Sequence, residues 1–559
     1  MRTGRVTGGC HGDGLPDKRG LSPDTRVQRK NGGDHTGTYL NPGNSGFARI
    51  RNDKYVDKSG LIAKVNEVID TPRCLTCVSR PRRFGKSYAA QMLCAYYDKT
   101  CDSGNLFGDL AIAQYGSYME HLNKYDVIYL NMTDILGETS AHDLVSFIRR
   151  NIERELLEVY PSLSVVEAFG ATLVNAVQAA GSKFIMIIDE WDAPIRETPE
   201  IHQEYLEFLR TLFKSSATTA RTFAAAYMTG ILPIKKDGSQ SAISDFMEYS
   251  MLKPADFAEF AGFTEAEVRH LCKEFCVDYN EMKRWYDGYS LRNVGSVYNP
   301  NSVMKAIRYK DFDSYWTESS AAGSLLRYIS RDVNGLRKTI AELIGGVEVE
   351  LDTKSFSNDL ITFTSQDDVL TLLIHLGYLA YDEREKKAHI PNEEVRLEFT
   401  RTIREDSNPD TMKRVAESDR LIMDTIHRNC EAVAAQIEKV HMEAANPLNA
   451  NNENSLRAVI QLAYFSYKDY YLKMEELPAG LGYADIVYLP KQGKSVPALL
   501  IELKWNHSAK TAIDQIKEKK YPEVLQDYGG DLLLVGISYS KGTPTESRKY
   551  SCVIETWNC

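Results

Sequence analysis

Arg80-Pro81-Arg82-Arg83-Phe84-Gly85-Lys86-Ser87, the stretch RPRRFGKS at residues 80–87, stands between an apolar run (Cys74–Ser79) and the helical pattern SYAAQMLCAYY at 87–97. A strand, a loop ending in GK[ST] and a helix form the setting in which backbone N–H groups wrap phosphates, the lysine meets the β/γ oxygens and the hydroxyl holds Mg²⁺. Arg80 occupies the place of the first glycine of GxxxxGK[ST], so the spelling is a degenerate Walker A, and alone it reads equally well as a basic loop. A second run decides between the two. FIMIIDE (Phe184–Glu190) is a buried-strand pattern ending in two carboxylates, as a Walker B requires: Asp189 for the Mg²⁺ shell and Glu190 to polarise an attacking water. A lone run of this type is also common as a core strand capped by solvated acids. Behind a GKS loop it reads as the second half of a nucleotide site. Arg83, Phe84, Gly85, Lys86, Ser87, Asp189 and Thr229 are the expected cofactor-binding set. Thr229, ending the strand-like TFAAAYMTG, is a candidate sensor, and Arg82 and Arg83 are candidate sources of positive charge.

Outward from this loop, Cys74–Ser79, Val127–Asn131, Phe184–Asp189 and Thr222–Thr229 are short, apolar and β-branched, with longer helical patterns between them. That alternation predicts an α/β P-loop NTPase domain with a parallel sheet covered on both faces, over residues 38–239. Residues 240–345 turn helical, with aromatic joints at Trp285–Tyr289 and Tyr315-Trp316, and predict a lid or second subdomain; the Trp285–Tyr289 joint reads better as a hydrophobic hinge than as a base-stacking site. Residues 346–446 read as a mixed, mostly helical connector, and the Asn-rich NPLNANNEN leads into a last α/β domain at 447–559. Residues 1–37, rich in Gly, Asp, Arg and Lys without apolar periodicity, read as a disordered tail.

The chain's 559 residues, 43% hydrophobic and 26% charged, exclude a single small fold and a fibrous or disordered chain. A formal net charge of −10 provides no global attraction to nucleic acid or anionic lipid, so any polyanion site is a local patch. Phe184–Ile188 and Asp531–Ile537, the most apolar stretches, are strand-length, and MRTGRVTGGCHGDGLPDKRG lacks the apolar core of a secretory signal. Ten dispersed cysteines suit a reducing compartment, and the expectation is a cytoplasmic protein with no membrane partner. Cys74/Cys77 and Cys272/Cys276 read as core thiols rather than metal ligands.

The last domain carries a second pattern. Gly482-Tyr-Ala-Asp485-Ile-Val is followed by Leu499-Leu-Ile-Glu502-Leu-Lys504. On a strand Glu502 and Lys504 share a face, while Leu499, Ile501 and Leu503 point to the core. A hairpin through Lys491–Val496 sets Asp485 beside Glu502, and two carboxylates then share a hard cation such as Mg²⁺, whose bound water attacks a phosphodiester with Lys504 orienting it. An isolated ExK is more often a cross-strand salt bridge. Two neighbours favour chemistry here: Glu453, opening the preceding helix as a further metal acid, and Gln515 in AIDQIKEKKY, whose Lys517, Lys519 and Lys520 form either a basic or a merely solvated face.

At these residues the sequence resembles a bacterial family in which an AAA-ATPase-like domain precedes a nuclease domain of the PD-(D/E)xK superfamily. The segments carrying the resemblance span about 40–559: YVDKSGLI, RPRRFGKSY, IIDEWDAPI, GFTEAEV, RWYDGY, YNPNSV, YWTESS, LGYLAY, PNEEVR, GYADIVYLP, ALLIELKWN and AIDQIKEKKYP. It implies a restriction-endonuclease-like fold for the last domain, nucleotide and Mg²⁺ at Lys86 and Ser87, and Asp189/Glu190 as the Walker B pair. It also implies a nuclease core of Asp485, Glu502 and Lys504 with Glu453 and Gln515 as accessories. The expected catalytic residues are therefore Glu190, Asp485, Glu502, Lys504 and Gln515, and the expected metal-holding residues Ser87, Asp189, Glu453, Asp485 and Glu502. The resulting expectation is an ATPase and Mg²⁺-dependent nuclease acting on DNA or RNA, with ATP gating access or oligomerisation. The rival is a regulatory ATPase whose last domain binds nucleic acid or a protein without cleaving.

Overall fold

The computed structural model describes residues 37–559 except 215, 235–242, 244, 317–335, 355, 357–364, 406–408, 445–452, 465, 468–469, 480–481, 492–495, 520–530, 541–548 and 558–559. The tail expected at 1–37 lies outside the described residues but for Gly37.

Five parallel strands make the first sheet: β1 (Leu75–Ser79), β2 (Asp126–Asn131), β3 (Phe184–Asp189), β4 (Phe223–Gly230) and β5 (Met247–Tyr249), in the order β2-β3-β4-β1-β5. Every residue of β1, β3 and β4 is buried, as expected where crossover helices cover both faces. Insertion of β4 between β1 and β3 sets the carboxyl ends of three strands along one sheet edge, the place where open α/β sheets bind ligands. β5 comes from beyond residue 239. At the opposite end of the sheet Leu40 bridges to Ile128, and the buried Glu155 carboxylate accepts the Thr38, Tyr39 and Leu40 amides.

The stretch expected to be helical contains a small antiparallel sheet, β6 (Phe263–Thr264), β7 (Tyr289–Leu291) and β8 (Gly295–Tyr298), ordered β6-β8-β7. A second holds β9 (Val349–Glu350), β10 (Ala380–Asp382) and β11 (Lys387–His389), ordered β10-β11-β9. One core joins them: Tyr289, Trp316, Leu370, Tyr378 and Phe399 pack with Phe84 of the P-loop. Trp285–Tyr289 is thus partly core, since Tyr286 and Tyr289 are buried.

The last sheet contains β12 (Tyr471–Ala479), β13 (Gly482–Pro490), β14 (Ala498–Trp505), β15 (Leu532–Ser540) and β16 (Lys549–Trp557), in chain order, with β14 and β15 parallel and the other pairs antiparallel. The sequence pattern of Ser455–Leu472 reads as one helix, but the helix ends at Ala463. Tyr464, Tyr467 and Tyr471 have helix-like spacing, yet all three pack on Tyr488 of β13 from a chain that is already turning into β12. Leu499, Ile501 and Leu503 enter one core as the sequence predicts. The other face is covered as well: Ala498 and Leu500 meet Ile513 and Ile516 of the Ala509–Glu518 helix. Cys74, Cys77 and Cys272 are buried, whereas Cys276 caps its helix in the left-handed conformation and is exposed. Among the described residues no helix is long and apolar enough to cross a membrane.

Candidate functional site

Two constellations lie where the motifs predict. In the first, β1 delivers the chain into the loop and Gly85, at φ 87°, starts the Lys86–Tyr97 helix. A Cβ at Gly85 would meet nothing within 4 Å, so left-handed backbone rather than crowding selects glycine there. Lys86 Nζ donates to the Pro81 carbonyl at 3.0 Å and lies 3.3 Å from Glu190 Oε1. Asp189, at the end of β3, is fully buried; one oxygen accepts from the Thr229 hydroxyl, and the nearby Ser87 side chain also favours the ionised carboxylate. Its Oδ2 is buried without a partner. Burial pushes the Asp189 carboxyl up despite these donors. An orphaned oxygen beside a GKS hydroxyl suits a hard cation, so the residues fit Mg²⁺.

Glu190 turns into the left-handed region at φ 54°, and its amide donates to Thr229 Oγ1 at 3.2 Å. Burial pushes its carboxyl up, but Lys86 and Arg196 together outweigh this and hold it below the usual value. Arg196 bridges Glu190 at 3.1 Å and buried Asp192 at 2.9 Å, and Asp192 in turn accepts the Ile231 and Leu232 amides. Sequence reasoning passed over Arg196 and Asp192, although both lie in the quoted IIDEWDAPI and the residue that follows it.

The remaining P-loop side chains face the middle of the chain. Arg80 is fully buried: its guanidinium donates to the Ser79 and Tyr249 carbonyls, both at 2.9 Å, and to the Phe257 carbonyl at 3.4 Å. The residue in the glycine's place is thus a bolt between β1, β5 and the segment beyond. Phe84 packs edge-on against Tyr289 at 5.5 Å, Gly377 abuts Pro81, and Arg83 donates to the Tyr315 carbonyl at 2.9 Å. Arg83 is therefore engaged by the protein rather than free to serve as a loose positive finger; Arg82 acts electrostatically on Glu190.

Beneath this contact sits Glu394, 1% exposed, accepting from Ser302 Oγ at 2.9 Å and Tyr315 N at 2.8 Å. Burial raises it to about 8. Between pH 4.5 and about 8 the native carboxyl keeps a proton that the unfolded chain has lost, so stability falls as pH rises through that window. Each pH unit there costs up to about 1.4 kcal/mol. Glu394→Gln is expected to flatten the decline in thermal midpoint between pH 5 and 8, as followed by calorimetry.

In the second constellation, β13 and β14 pair antiparallel with Ile486 opposite Ile501, which sets Asp485 across from Glu502 where the ladder stops. The Asp485 side chain replaces the missing rung: Oδ2 accepts the Leu503 amide at 2.9 Å, and Oδ1 accepts Arg457 Nη2 at 2.7 Å. Glu502, 2% exposed, takes Lys504 Nζ on Oε1 at 3.2 Å together with the Gln515 amide, while Oε2 is buried without a partner. Burial first, then the nearby Asp485, raises Glu502 to about 7. Glu453 opens the Glu453–Ala463 helix, but its side chain lies outside the described residues. Of the expected basic face, Lys517 is committed to Glu555, which Lys510 also meets at 2.6 Å; Lys520 lies outside the described residues. Among the described residues no three His, Cys, Asp or Glu side chains converge as a metal cage. A carboxylate pair with one orphaned oxygen suits Mg²⁺, which keeps several waters.

A family model described as predicted AAA-ATPase matches residues 42–239, and one for the PD-(D/E)XK nuclease superfamily matches 451–547. The chain joins an AAA-ATPase-like domain to a PD-(D/E)XK nuclease-superfamily domain. The chain is 26% identical over 286 residues to an uncharacterised protein in the vnfD 5′ region of Azotobacter chroococcum, and the match takes in 49% of this chain. It covers 52% of the relative, so the chain spans about half the length of the curated relative it matches. Among solved structures, a STAND ATPase with a tetratricopeptide-repeat sensor from Pyrococcus horikoshii is 10% identical at TM-score 0.23, covering 72% of this chain and 47% of the other. The Aeropyrum pernix ORC2 protein is 11% identical at TM-score 0.24, covering 62% and 93%. At such scores the architecture of the AAA-ATPase-like domain rests on its own strand order and loop geometry.

Proposed function

We propose that the AAA-ATPase-like chain binds and hydrolyses ATP and uses its last domain to cleave nucleic-acid phosphodiesters with Mg²⁺, in the cytoplasm and with nucleotide state gating access or oligomerisation. The observation carrying this reading is the Asp485–Glu502 pair at the end of the β13–β14 ladder, with Lys504 and Gln515 on Glu502 and one Glu502 oxygen left over. Asp485 and Glu502 would hold the cation, joined by Glu453, and Ser87 with Asp189 would hold the nucleotide's. When bound, Mg²⁺ neutralises phosphate charge and acidifies a coordinated water. The protein's own groups do the rest. Lys504 orients the nucleophile or offsets charge developing on the phosphate, and Gln515 fixes the Glu502 rotamer. In the first domain Lys86 pairs with nucleotide oxygens, Glu190 takes the proton of the attacking water, and Thr229 senses the occupied site through Asp189.

One observation favours the rival regulatory reading: Arg457 already neutralises Asp485, as in a retired active site. The test is to incubate the full chain with single- and double-stranded DNA and RNA, with and without Mg²⁺ and ATP. Mg²⁺-dependent cleavage of any of the four supports the nuclease; none, alongside intact ATP turnover, supports the rival. Lys86→Ala is expected to lower ATP turnover at least about 10²-fold, because the ammonium stands directly beside Glu190 where phosphate charge develops. Phosphate release assays read this directly, and if cleavage falls in parallel the two sites are coupled.

A further inference from the structure

The Glu453–Ala463 helix brings Arg457 to the carboxylate pair, a residue outside both motifs. Each oxygen of Asp485 has a donor, Arg457 on Oδ1 at 2.7 Å and the Leu503 amide on Oδ2 at 2.9 Å, whereas Glu502 keeps Oε2 unpartnered. Arg457 and Asp485 are 26% and 22% exposed, so the contact is a partly desolvated, charge-assisted bond rather than a loose surface pair. Lys504 stands on Glu502, and Lys519 also acts on it electrostatically. The cations around the pair thus leave one Glu502 oxygen open, and an arriving divalent cation has to displace Arg457 to reach Asp485 Oδ1. Arginine does not yield by losing its proton, so it can release Asp485 only by moving. A guanidinium freed at this edge has the planar fork that suits a phosphate.

We infer that Arg457 is a positioning residue that competes with the divalent cation for Asp485 and, once displaced, turns to the phosphate of the nucleic-acid substrate. The inference rests on the nuclease reading, and it turns the feature that favoured a retired site into a latch: the first domain would have only to help dislodge one side chain to arm the second.

The test is calorimetric titration of MnCl₂ into the nucleotide-free full chain, comparing wild type, Arg457→Gln and Arg457→Met, with Asp485→Ala to define the heat belonging to this site. Arg457→Met keeps the apolar stem, so it reports if the Gln variant fails to fold. Tighter Mn²⁺ binding by about fivefold in either variant is expected, together with cleavage reduced at least about tenfold at saturating metal. A residue that only braces Asp485 would leave Mn²⁺ affinity unchanged or weaken it, and either result overturns the inference while the nuclease reading stands. Metal bound by the variants alone supports a strong latch. Metal bound by neither wild type nor variants overturns both.

Discussion

Glu502→Gln is expected to abolish Mg²⁺-dependent cleavage while leaving ATP binding and folding intact. The exchange is nearly isosteric and keeps an acceptor for Lys504 and Gln515, so β14 and its two cores lose little. What disappears is the charge. The buried Oε2 has no protein partner, and only an ionised carboxylate can repay a cation for its lost water there. Removing an outer-shell partner of a metal typically costs about 10–100-fold, and loss of a ligand should exceed that. The pH dependence of wild type provides an independent check: with Glu502 at about 7, a proton competes with the cation below that value, so metal affinity and cleavage should rise as pH passes upward through it. Gel-based cleavage assays across pH 6–8 at subsaturating Mg²⁺ would show the rise in wild type. Retention of cleavage by Glu502→Gln would remove the carboxylate pair from the chemistry.

Arg80→Gly restores the common P-loop spelling and is nevertheless expected to damage the protein. The wild-type guanidinium is wholly enclosed and holds three backbone carbonyls, from Ser79, Tyr249 and Phe257. No carboxylate is among these partners, and burial lowers its pKa to about 10. Glycine takes the guanidinium from all three carbonyls, of which Phe257 keeps the Phe260 amide, and leaves a void where the side chain lay, losses of the kind that cost about 3–5 kcal/mol. The expected readout is a lowered calorimetric midpoint together with loss of nucleotide affinity, since β5 loses its tie to the loop. Arg80→Lys should fare better than glycine but short of wild type, because one ammonium cannot span three directions.

Legibility of the fold followed how locally each element was specified. β1 to β4 are continuous apolar runs, and their residues announce them within a position or two of the observed bounds. β5 is three residues long and exists only because β1 offers an edge, so no window of sequence signals it. β12 was hidden by tyrosines whose helical spacing serves a tertiary cluster, and β16, which pairs antiparallel with β15, mixes polar and apolar residues without a continuous apolar run. The acids of both sites were readable because strand alternation and hairpin register fix their faces. Arg457 was not: one arginine on an amphipathic helix carries no mark of the carboxylate it will meet. Nor was the Arg80 bolt, which reads as a blemish in a motif until its three acceptors, distant in sequence, are seen around it.

The floor of the P-loop is built from residues far downstream, with Tyr289 under Phe84, Tyr315 on Arg83 and Gly377 against Pro81. The homology unit and the autonomous unit therefore differ. A fragment cut at residue 239 would take the phosphate loop and abandon its underside, wetting an aromatic ring and a stranded guanidinium, and should be recovered as aggregate. The shortest piece able to stand alone reaches at least Gly377, so a truncation meant to keep nucleotide binding has to carry that whole length.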